Sequence, residues 1–346
     1  MTLIVFILLK NDLLKEGSKG NIDQCALVEA SAIGLERVVQ AFLEYGANPD
    51  QAGDGYCSPL EVASERGHEG TFELLVKYGA NISKCGGKRG SAIQAAALNG
   101  HNSIVARLLE LGADVNTNGY GIWNPGTPLQ AATQAGHYDV VHTLLVHGGD
   151  VNMCAFVHPA AGPPNRVRNW FTGYPLQLAS RFGFLRIVQL LLDFGAMVNI
   201  NGTVCALESV LKKLSVDTTT LNKNELQYLR AFQSAVLDSP WFGVGVVNLH
   251  KMNRRPKRYG IRFNDCGMAL HAASNEAHTE VVRLLLHHQA DPNASSERDQ
   301  SMTALHKAVD IHFQYQEKEE KFDETILLLI GSGATIDATS GLGTAF

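Results

Sequence analysis

Residues 126–152, GTPLQAATQAGHYDVVHTLLVHGGDVN, decide the fold of this chain, because related copies of them recur along it. We align the copies on the residue that takes the place of Pro128. Successive anchors lie 33, 33, 36, 47, 31, 63 and 35 residues apart. Self-similarity of this kind is the signature of a repeat protein, in which similar units stack on one another. The clear copies begin at Ala26, Pro59, Ala92, Pro128, Pro175 and Ala269, and the weaker ones at Ala206 and Ala304.

Glycine occupies two fixed positions in the repeat. The chain contains 33 glycines among 346 residues, more than the usual level of about 7%. Glycine adopts the left-handed backbone conformation that ends many helices, so each position predicts a helix end. Eight residues past the anchor the glycines are Gly34, Gly67, Gly100, Gly136 and Gly183, and twenty residues past it they are Gly46, Gly79, Gly112, Gly148 and Gly195.

The residues around these glycines predict two helices in each repeat. Between the two glycines, apolar pairs such as Val140-Val141 and Leu144-Leu145 follow the spacing of a one-sided helical stripe. Before the first glycine, a short alanine-rich stretch opens with Thr127 and Pro128, which suit a helix N-cap and the first helical position. The unit is therefore turn, helix, turn, helix. One unit buries its stripe only against neighbouring copies.

These motifs resemble the ankyrin repeat family, most clearly at 126–152, 267–293 and 90–116, and the resemblance covers nearly the whole chain. It implies a mainly α fold, an ankyrin-repeat solenoid of helix-turn-helix units with β-hairpin fingers that project from one edge and bind other proteins. It also implies a structural hydrogen bond for His271 and His306, which occupy the histidine position of the family's TPLH motif.

We expect residues 1–346 to form a single array. A long finger insertion is predicted at 155–174, where four prolines and glycines in the centre of the segment interrupt the period. In the last repeat, the insertion 312–324 moves the second glycine to Gly333. The predicted units are about 1–20 (partial), 21–53, 54–86, 87–119, 120–153, 170–200, 201–262 (degenerate, with an insertion), 263–296, 297–339 and 340–346 (partial).

Both ends of the sequence resemble incomplete repeats. The run TLIVFILLKND (2–12) places Ile4-Val5 and Leu8-Leu9 at the apolar spacing of a second helix. We therefore interpret it as the end of a truncated repeat, and a signal or membrane segment is the alternative. Residues 341–346 resemble the opening of a further repeat. Solenoids need polar capping repeats, so these ends suggest either a section of a longer array or a gene product whose ends pack elsewhere.

Composition disfavours several classes of function. The balance of 29 basic to 34 acidic residues opposes a dedicated nucleic-acid binder, whose surface is usually basic. The six cysteines form no CxxC pair, which disfavours a structural zinc site and suits reduced thiols in an intracellular protein, cytoplasmic or nuclear. No P-loop, GxSxG, HExxH or dinucleotide-binding motif is present. We therefore expect no metal, no cofactor and no catalytic residues.

Aromatic residues in the segments between repeats are the candidate partner-binding residues. All three tryptophans lie there, and aromatic side chains on a projecting edge bury a large area at low entropic cost. Alternatively, these aromatics cover small cores within the long loops themselves, or they line a small-molecule pocket. The candidate set is Tyr120, Trp123, Asn124, Arg166, Arg168, Trp170, Phe171, Tyr174, Trp241 and Phe242.

A basic run follows the last tryptophan. It fits a nuclear import signal or a phosphate-binding segment, and its plainest interpretation is a solvated loop. Nucleic-acid binding fits poorly with the acidic balance of the rest of the chain. The run comprises Lys251, Arg254, Arg255, Lys257, Arg258 and Arg262.

We expect a non-catalytic protein–protein interaction scaffold that binds a partner protein through its ankyrin fingers and concave face, where the outer positions of the first helices lie. Membrane, nucleic-acid and small-molecule partners are not expected. The alternative is the recognition segment of a larger multidomain enzyme or signalling receptor whose catalytic domain is absent here. A weaker alternative is a catalytic pocket beneath the insertions 155–174 and 239–265.

Overall fold

Seven helix pairs make up the part of the chain that the computed structural model describes, and we number them as repeats 1 to 7. The described residues are 24–52, 57–87, 90–117, 126–153, 173–200, 268–295, 302–312, 319–336, 339–340 and 343–344. The pairs are α1 (Gln24–Ile33) and α2 (Glu36–Glu44), α3 (Pro59–Arg66) and α4 (Glu69–Lys77), α5 (Ala92–Asn99) and α6 (Asn102–Glu110), α7 (Pro128–Ala135) and α8 (Tyr138–Val146), α9 (Pro175–Phe182) and α10 (Leu185–Asp193), α11 (Ala269–Asn275) and α12 (Thr279–His287), and α13 (Ala304–His312) and α14 (Glu319–Gly331).

Two short antiparallel hairpins connect to the helices. Strand β1 (Cys85–Gly87) pairs with β2 (Gly90–Ser91), and β3 (Thr339–Ser340) pairs with β4 (Gly343–Thr344). The first hairpin lies between repeats 2 and 3, and its second strand ends at Ser91, the N-cap residue of α5. The predicted fold, a mainly helical solenoid with β-hairpin fingers, is confirmed.

The first helices begin at the predicted caps. The Oγ1 of Thr127 accepts a hydrogen bond from the Gln130 amide (3.2 Å), and the Gln130 side-chain oxygen accepts one from the Thr127 amide (2.9 Å). This reciprocal capping box satisfies two backbone donors that a helix start leaves without partners. Pro128 takes the first helical position, and Gly136 ends the helix in the left-handed conformation. Local sequence alone thus fixes both ends of α7.

The core runs continuously through the stack. In repeat 4, the predicted stripe residues Val140, Val141 and Leu144 are at most 1% exposed. First helices pack on the first helices of the next repeat, and second helices on second helices. One apolar cluster extends from Leu27 in repeat 1 to Leu329 in repeat 7. Each repeat therefore buries its stripe against its neighbours, as a solenoid requires.

Repeats 5 and 6 are direct neighbours, although 67 residues separate them in the sequence. Helix α9 packs on α11, and the His278 imidazole hydrogen-bonds to the Arg181 carbonyl oxygen (3.0 Å). Among the described helices none lies between these two repeats, and the predicted degenerate unit at 201–262 stays a prediction. That segment has Leu214 and Leu226 where the repeat requires its two glycines. Residues 201–267 themselves lie outside the described residues.

Repeat 7 accommodates its insertion by starting its second helix late. Helix α14 begins at Glu319, within the predicted insertion, and Gly333 takes the left-handed position beyond its end. The buried side chains of Phe322 and Leu329 attach this helix to the stack. The N-terminal run 2–12 lies outside the described residues. Among the helices described, none has the length and apolar content needed to cross a bilayer.

Candidate partner-binding surfaces

Asparagines tie together the turns from which the fingers extend. The Asn116 side-chain oxygen accepts a hydrogen bond from the Asp150 amide (2.8 Å), and its nitrogen donates to the Gly148 carbonyl oxygen (3.3 Å) of the next repeat. The same pair of bonds recurs at three further junctions. They run from Asn152 to Met197 and Gly195, from Asn199 to Asp291 and Gln289, and from Asn293 to Thr335 and Gly333.

These bonds define the finger edge of the stack, where the chain passes from each second helix to the next first helix. Each asparagine spans a repeat junction with both ends of its amide group, so consecutive turns keep a fixed spacing. Such paired bonds add roughly 1 kcal/mol each. Any segment that leaves the stack at this edge therefore starts from a rigid base.

Histidine side chains join consecutive repeats at the opposite edge of the stack. We call it the turn edge, because the turns between the first and second helices lie there. The His137 Nε2 hydrogen-bonds to the Leu98 carbonyl oxygen of the preceding repeat (3.1 Å). His68, His101 and His278 make the same bond to Ala32, Glu65 and Arg181. These bonds cross the repeat junctions and became visible only in the structure.

Two further histidines are buried at first-helix starts. His271 Nε2 hydrogen-bonds to the Met302 carbonyl oxygen (3.1 Å), and His306 Nδ1 accepts from the Thr303 amide (3.2 Å). His306 thus makes the hydrogen bond within the turn that the family resemblance implies for it, whereas the bond from His271 to Met302 crosses to the next repeat. Within the described ranges, no group of three or more histidine, cysteine and acidic side chains is arranged to hold a metal ion.

Ion pairs join the outer faces of the second helices. The Arg107 guanidinium contacts Glu73 of the preceding repeat (2.9 Å) and Glu110 of its own helix (3.1 Å). The hydrogen bond that Arg107 donates to Glu73, supported by the one to Glu110, raises the pKa of Arg107 above its ordinary value. Arg283 pairs similarly with Glu324 (3.1 Å) across the junction between repeats 6 and 7. Exposed pairs of this kind stabilise little individually.

The first helices of the central repeats are largely buried. Ala95, Ala131 and Leu178, three residues past their anchors, are at most 2% exposed. Six consecutive residues of α5, Ala92–Ala97, are buried, so the start of this helix is covered on every side. Alanine side chains allow the first helices to approach closely, which explains why so little of them reaches solvent.

Of the predicted partner-binding residues, the structure describes Tyr174. It is the N-cap residue of α9, its amide donates to the Gln177 side-chain oxygen (3.0 Å), and its side chain is 7% exposed. A residue in that position offers little surface to a partner. The remaining nine candidates and the six residues of the basic run lie outside the described residues.

The described residues on either side of two undescribed segments show at which edge of the stack those segments begin. Residues 118–125 connect Thr117 to Gly126, and residues 154–172 connect Met153 to Gly173. Thr117 and Met153 close the asparagine-containing turns, with their amides bonded to the carbonyl oxygens of Asp114 (3.2 Å) and Asp150 (3.1 Å). Both segments therefore start at the finger edge.

Repeat 5 has more exposed large apolar residues than any other described repeat. Among the large apolar residues described as exposed, four lie in this repeat: Phe182, Leu185, Phe194 and Met197. Sequence reasoning missed them because they merge with the helical stripe. A comparison of equivalent repeat positions would have indicated their exposure. Met197, for example, takes the position that aspartate occupies in other repeats, at Asp114, Asp150 and Asp291.

Comparisons with known proteins agree on one family. A model described as ankyrin repeats (3 copies) matches residues 83–155, one described as ankyrin repeat matches 174–203, and one described as ankyrin repeats (many copies) matches 270–315. No curated protein matches. Among solved structures 455 chains match, including the crystal structure of the human ASB11 ankyrin repeat domain. That match has a TM-score of 0.52 at 19% identity and covers 81% of this chain and 89% of that one, which establishes likeness of fold.

Proposed function

This chain is an array of ankyrin repeats, and we propose that it is a non-catalytic scaffold that binds a partner protein through its fingers. Ankyrin repeats are generic protein–protein interaction modules. The observation that carries the proposal is the double hydrogen bond of the asparagines at four consecutive junctions of the finger edge. A surface that is ordered before binding loses little entropy when the partner docks.

The proposed contacts lie on the segments that leave this edge. They are Tyr120, Trp123 and Asn124 in the first segment, Arg166, Arg168, Trp170 and Phe171 in the second, and Trp241 and Phe242 in the third. Tyr174 is omitted because it is buried at the start of α9. We place the protein inside the cell, where the basic run at 251–262 serves as an import signal or a solvated loop.

The non-catalytic part of the proposal is supported by the histidines. Hydrogen bonds to backbone groups of neighbouring repeats are made by His68, His101, His137, His271 and His278, and His306 bonds to the amide at the start of its own helix. A side chain that anchors a repeat junction is poorly suited to transfer protons to a substrate, because movement of its ring would break the bond that supports the stack.

Proximity labelling with the full chain, compared with a Trp123→Ala/Trp170→Ala variant, tests the proposal. Partners enriched by the wild-type chain should be lost by the variant at an unchanged melting temperature. The matched control is Leu327→Ala, an exposed apolar residue of α14 on the outer face, which should retain those partners. A lower melting temperature with retained partners would show instead that the tryptophans cover cores within their own loops.

A further inference from the structure

The turn of repeat 5 differs in charge from those of its neighbours. Residues 181–186, RFGFLR, contain two arginines and no acidic residue. In repeats 1 to 4 and 6 the same six positions are neutral or acidic, namely AIGLER, ERGHEG, LNGHNS, QAGHYD and NEAHTE. The turn edge therefore carries one basic, aromatic turn between turns of opposite charge.

Phe184 occupies the place that histidine takes in repeats 2, 3, 4 and 6. A phenyl ring cannot bond to the carbonyl oxygen of the preceding repeat, so this junction lacks the histidine bond. The ring instead fills the space beside Gly136, where an added Cβ would lie 2.8 Å from its Cζ atom. Phe182 stacks on it at a centroid distance of 5.9 Å. The junction between repeats 4 and 5 therefore has the stacked pair of Phe182 and Phe184 where other junctions have a histidine hydrogen bond.

Part of this aromatic cluster faces solvent. Phe182 is 36% exposed and Leu185, two residues beyond the left-handed Gly183, is 40% exposed. Large apolar side chains at such a turn lie outside the stripe that repeats bury against one another. Adjacent exposed apolar residues beside an arginine are typical of the centres of protein interfaces.

Arg186 supplies an oriented positive charge beside these residues. Its guanidinium carbon lies 4.3 Å from the centroid of the Tyr138 ring of repeat 4. A guanidinium that lies flat on a ring keeps its N–H groups around its edge, and that planar fork matches the two oxygens of a carboxylate. The stacking also restricts the side chain, so less freedom is lost when a carboxylate binds.

We propose that Tyr138, Phe182, Phe184, Leu185 and Arg186 form a second docking surface, the turn patch, which binds an acidic amphipathic segment of another protein. An apolar side chain of that segment packs on Phe182 and Leu185, and a carboxylate pairs with Arg186. Charge complementarity selects an acidic occupant. The surface lies on the edge opposite the fingers, so it does not depend on the finger proposal.

The neighbouring turns restrict the size of the occupant. Asp139 of repeat 4 and Glu276 and Glu280 of repeat 6 lie on either side of the patch along the turn edge. These carboxylates repel a broad acidic surface. The partner is therefore a short segment whose acidic residues centre on repeat 5.

Fluorescence anisotropy with two synthetic peptides tests the turn patch. The probe is a 16-residue fluorescein-labelled helical peptide with leucines on one face and glutamates elsewhere, and its twin carries lysine in place of every glutamate. The full chain should bind the glutamate peptide with a Kd below about 1 mM and bind the lysine twin at least about tenfold more weakly. Absence of binding, or equal binding of both peptides, overturns the proposal.

Two variants locate the binding on the surface. Arg186→Glu and Phe182→Ser/Leu185→Ser should each weaken binding of the glutamate peptide by at least about tenfold. The matched control is Arg66→Glu, because Arg66 occupies the position of Phe182 in repeat 2 and the charge change is identical. Circular dichroism melting verifies that all variants are folded. If Arg66→Glu and Arg186→Glu weaken binding equally, the effect is one of overall charge and the proposal fails.

Discussion

Gly100 of repeat 3 and His137 of repeat 4 face each other so closely that a Cβ on the glycine would lie 2.7 Å from the imidazole Nδ1. The glycine ends α5 with a φ of +80°, and the imidazole reaches past it to the Leu98 carbonyl oxygen. Gly100 thus meets two requirements. It adopts the left-handed backbone conformation, and it leaves room for the imidazole of His137. This pairing links the turn between the two helices of repeat 3 to the corresponding turn of repeat 4.

Gly100→Ala should lower the free energy of unfolding by about 2–4 kcal/mol, from left-handed strain and displacement of His137. Gly112→Ala is the control, since Gly112 has a φ of +87° and nothing within 4 Å of a built Cβ. It should cost only about 1–2 kcal/mol. Urea denaturation measures both. Equal losses would mean that the histidine contact contributes nothing.

The sequence predicted the glycines and apolar pairs because each acts within one repeat. Gly136 ends α7 whatever its neighbours are, and Val140 and Leu144 are buried by any adjacent copy. The contact between Gly100 and His137 joins two repeats, and no local pattern contains it. The direct packing of repeat 5 on repeat 6 also depends on where the chain returns, which no spacing in the sequence specifies.

The candidate sites were harder to predict than the fold. Most of the aromatic residues predicted to bind a partner lie in segments outside the described residues. Tyr174, which is described, is a buried helix N-cap residue. Phe182 and Leu185 went unnoticed because they continue an apolar helical pattern, and only a comparison of equivalent repeat positions separates them from the core. Exposure depends on the packing of neighbours, so hydrophobicity alone does not identify a binding residue.

Repeat 6 lacks both glycines, and Gln289→Gly should stabilise it. Gln289 holds a φ of 63° where other repeats have glycine, and its side chain is exposed. The substitution relieves left-handed backbone strain, and the greater freedom of glycine in the unfolded chain offsets part of that gain. The free energy of unfolding should therefore rise by roughly 0.5–1 kcal/mol. Thermal melting measures the gain.

Ala277→Gly gives an internal comparison for that substitution. Ala277 has a φ of 54°, but its methyl group is buried. Loss of that burial offsets part of the relieved strain, so the gain should be smaller than for Gln289→Gly. A loss of stability from Gln289→Gly would contradict the claim that the left-handed conformation of Gln289 is strained.

Asn152→Ala should loosen the finger edge between repeats 4 and 5. It removes the bonds to the Met197 amide (2.9 Å) and the Gly195 carbonyl oxygen (3.2 Å), a loss of about 1–3 kcal/mol. Hydrogen exchange of the Met197 amide should accelerate. Asn48→Ala is the control, because the Asn48 side chain bonds the Asp50 amide within its own turn. Unchanged Met197 exchange would contradict the role assigned to these asparagines.

Removal of the segment between repeats 5 and 6 should leave the stack intact. We would replace residues 200–267 with the seven-residue connection QAGDGYC (51–57), which joins repeats 1 and 2. The replacement retains Met268, the N-cap residue of α11, and the contact between His278 and Arg181. Because repeats 5 and 6 already pack on each other, the shortened chain should unfold in a single transition near the wild-type melting temperature.

The matched control for that deletion replaces residues 154–172 with the same seven residues, which shortens the connection between repeats 4 and 5 instead. Both chains should keep their circular dichroism intensity per helical residue. If the segment 200–267 supplied a stacked repeat, its removal would force repeats 5 and 6 into a new contact. Separate transitions for repeats 1–5 and 6–7 would then appear only in that chain, because each repeat is stabilised mainly by its immediate neighbours.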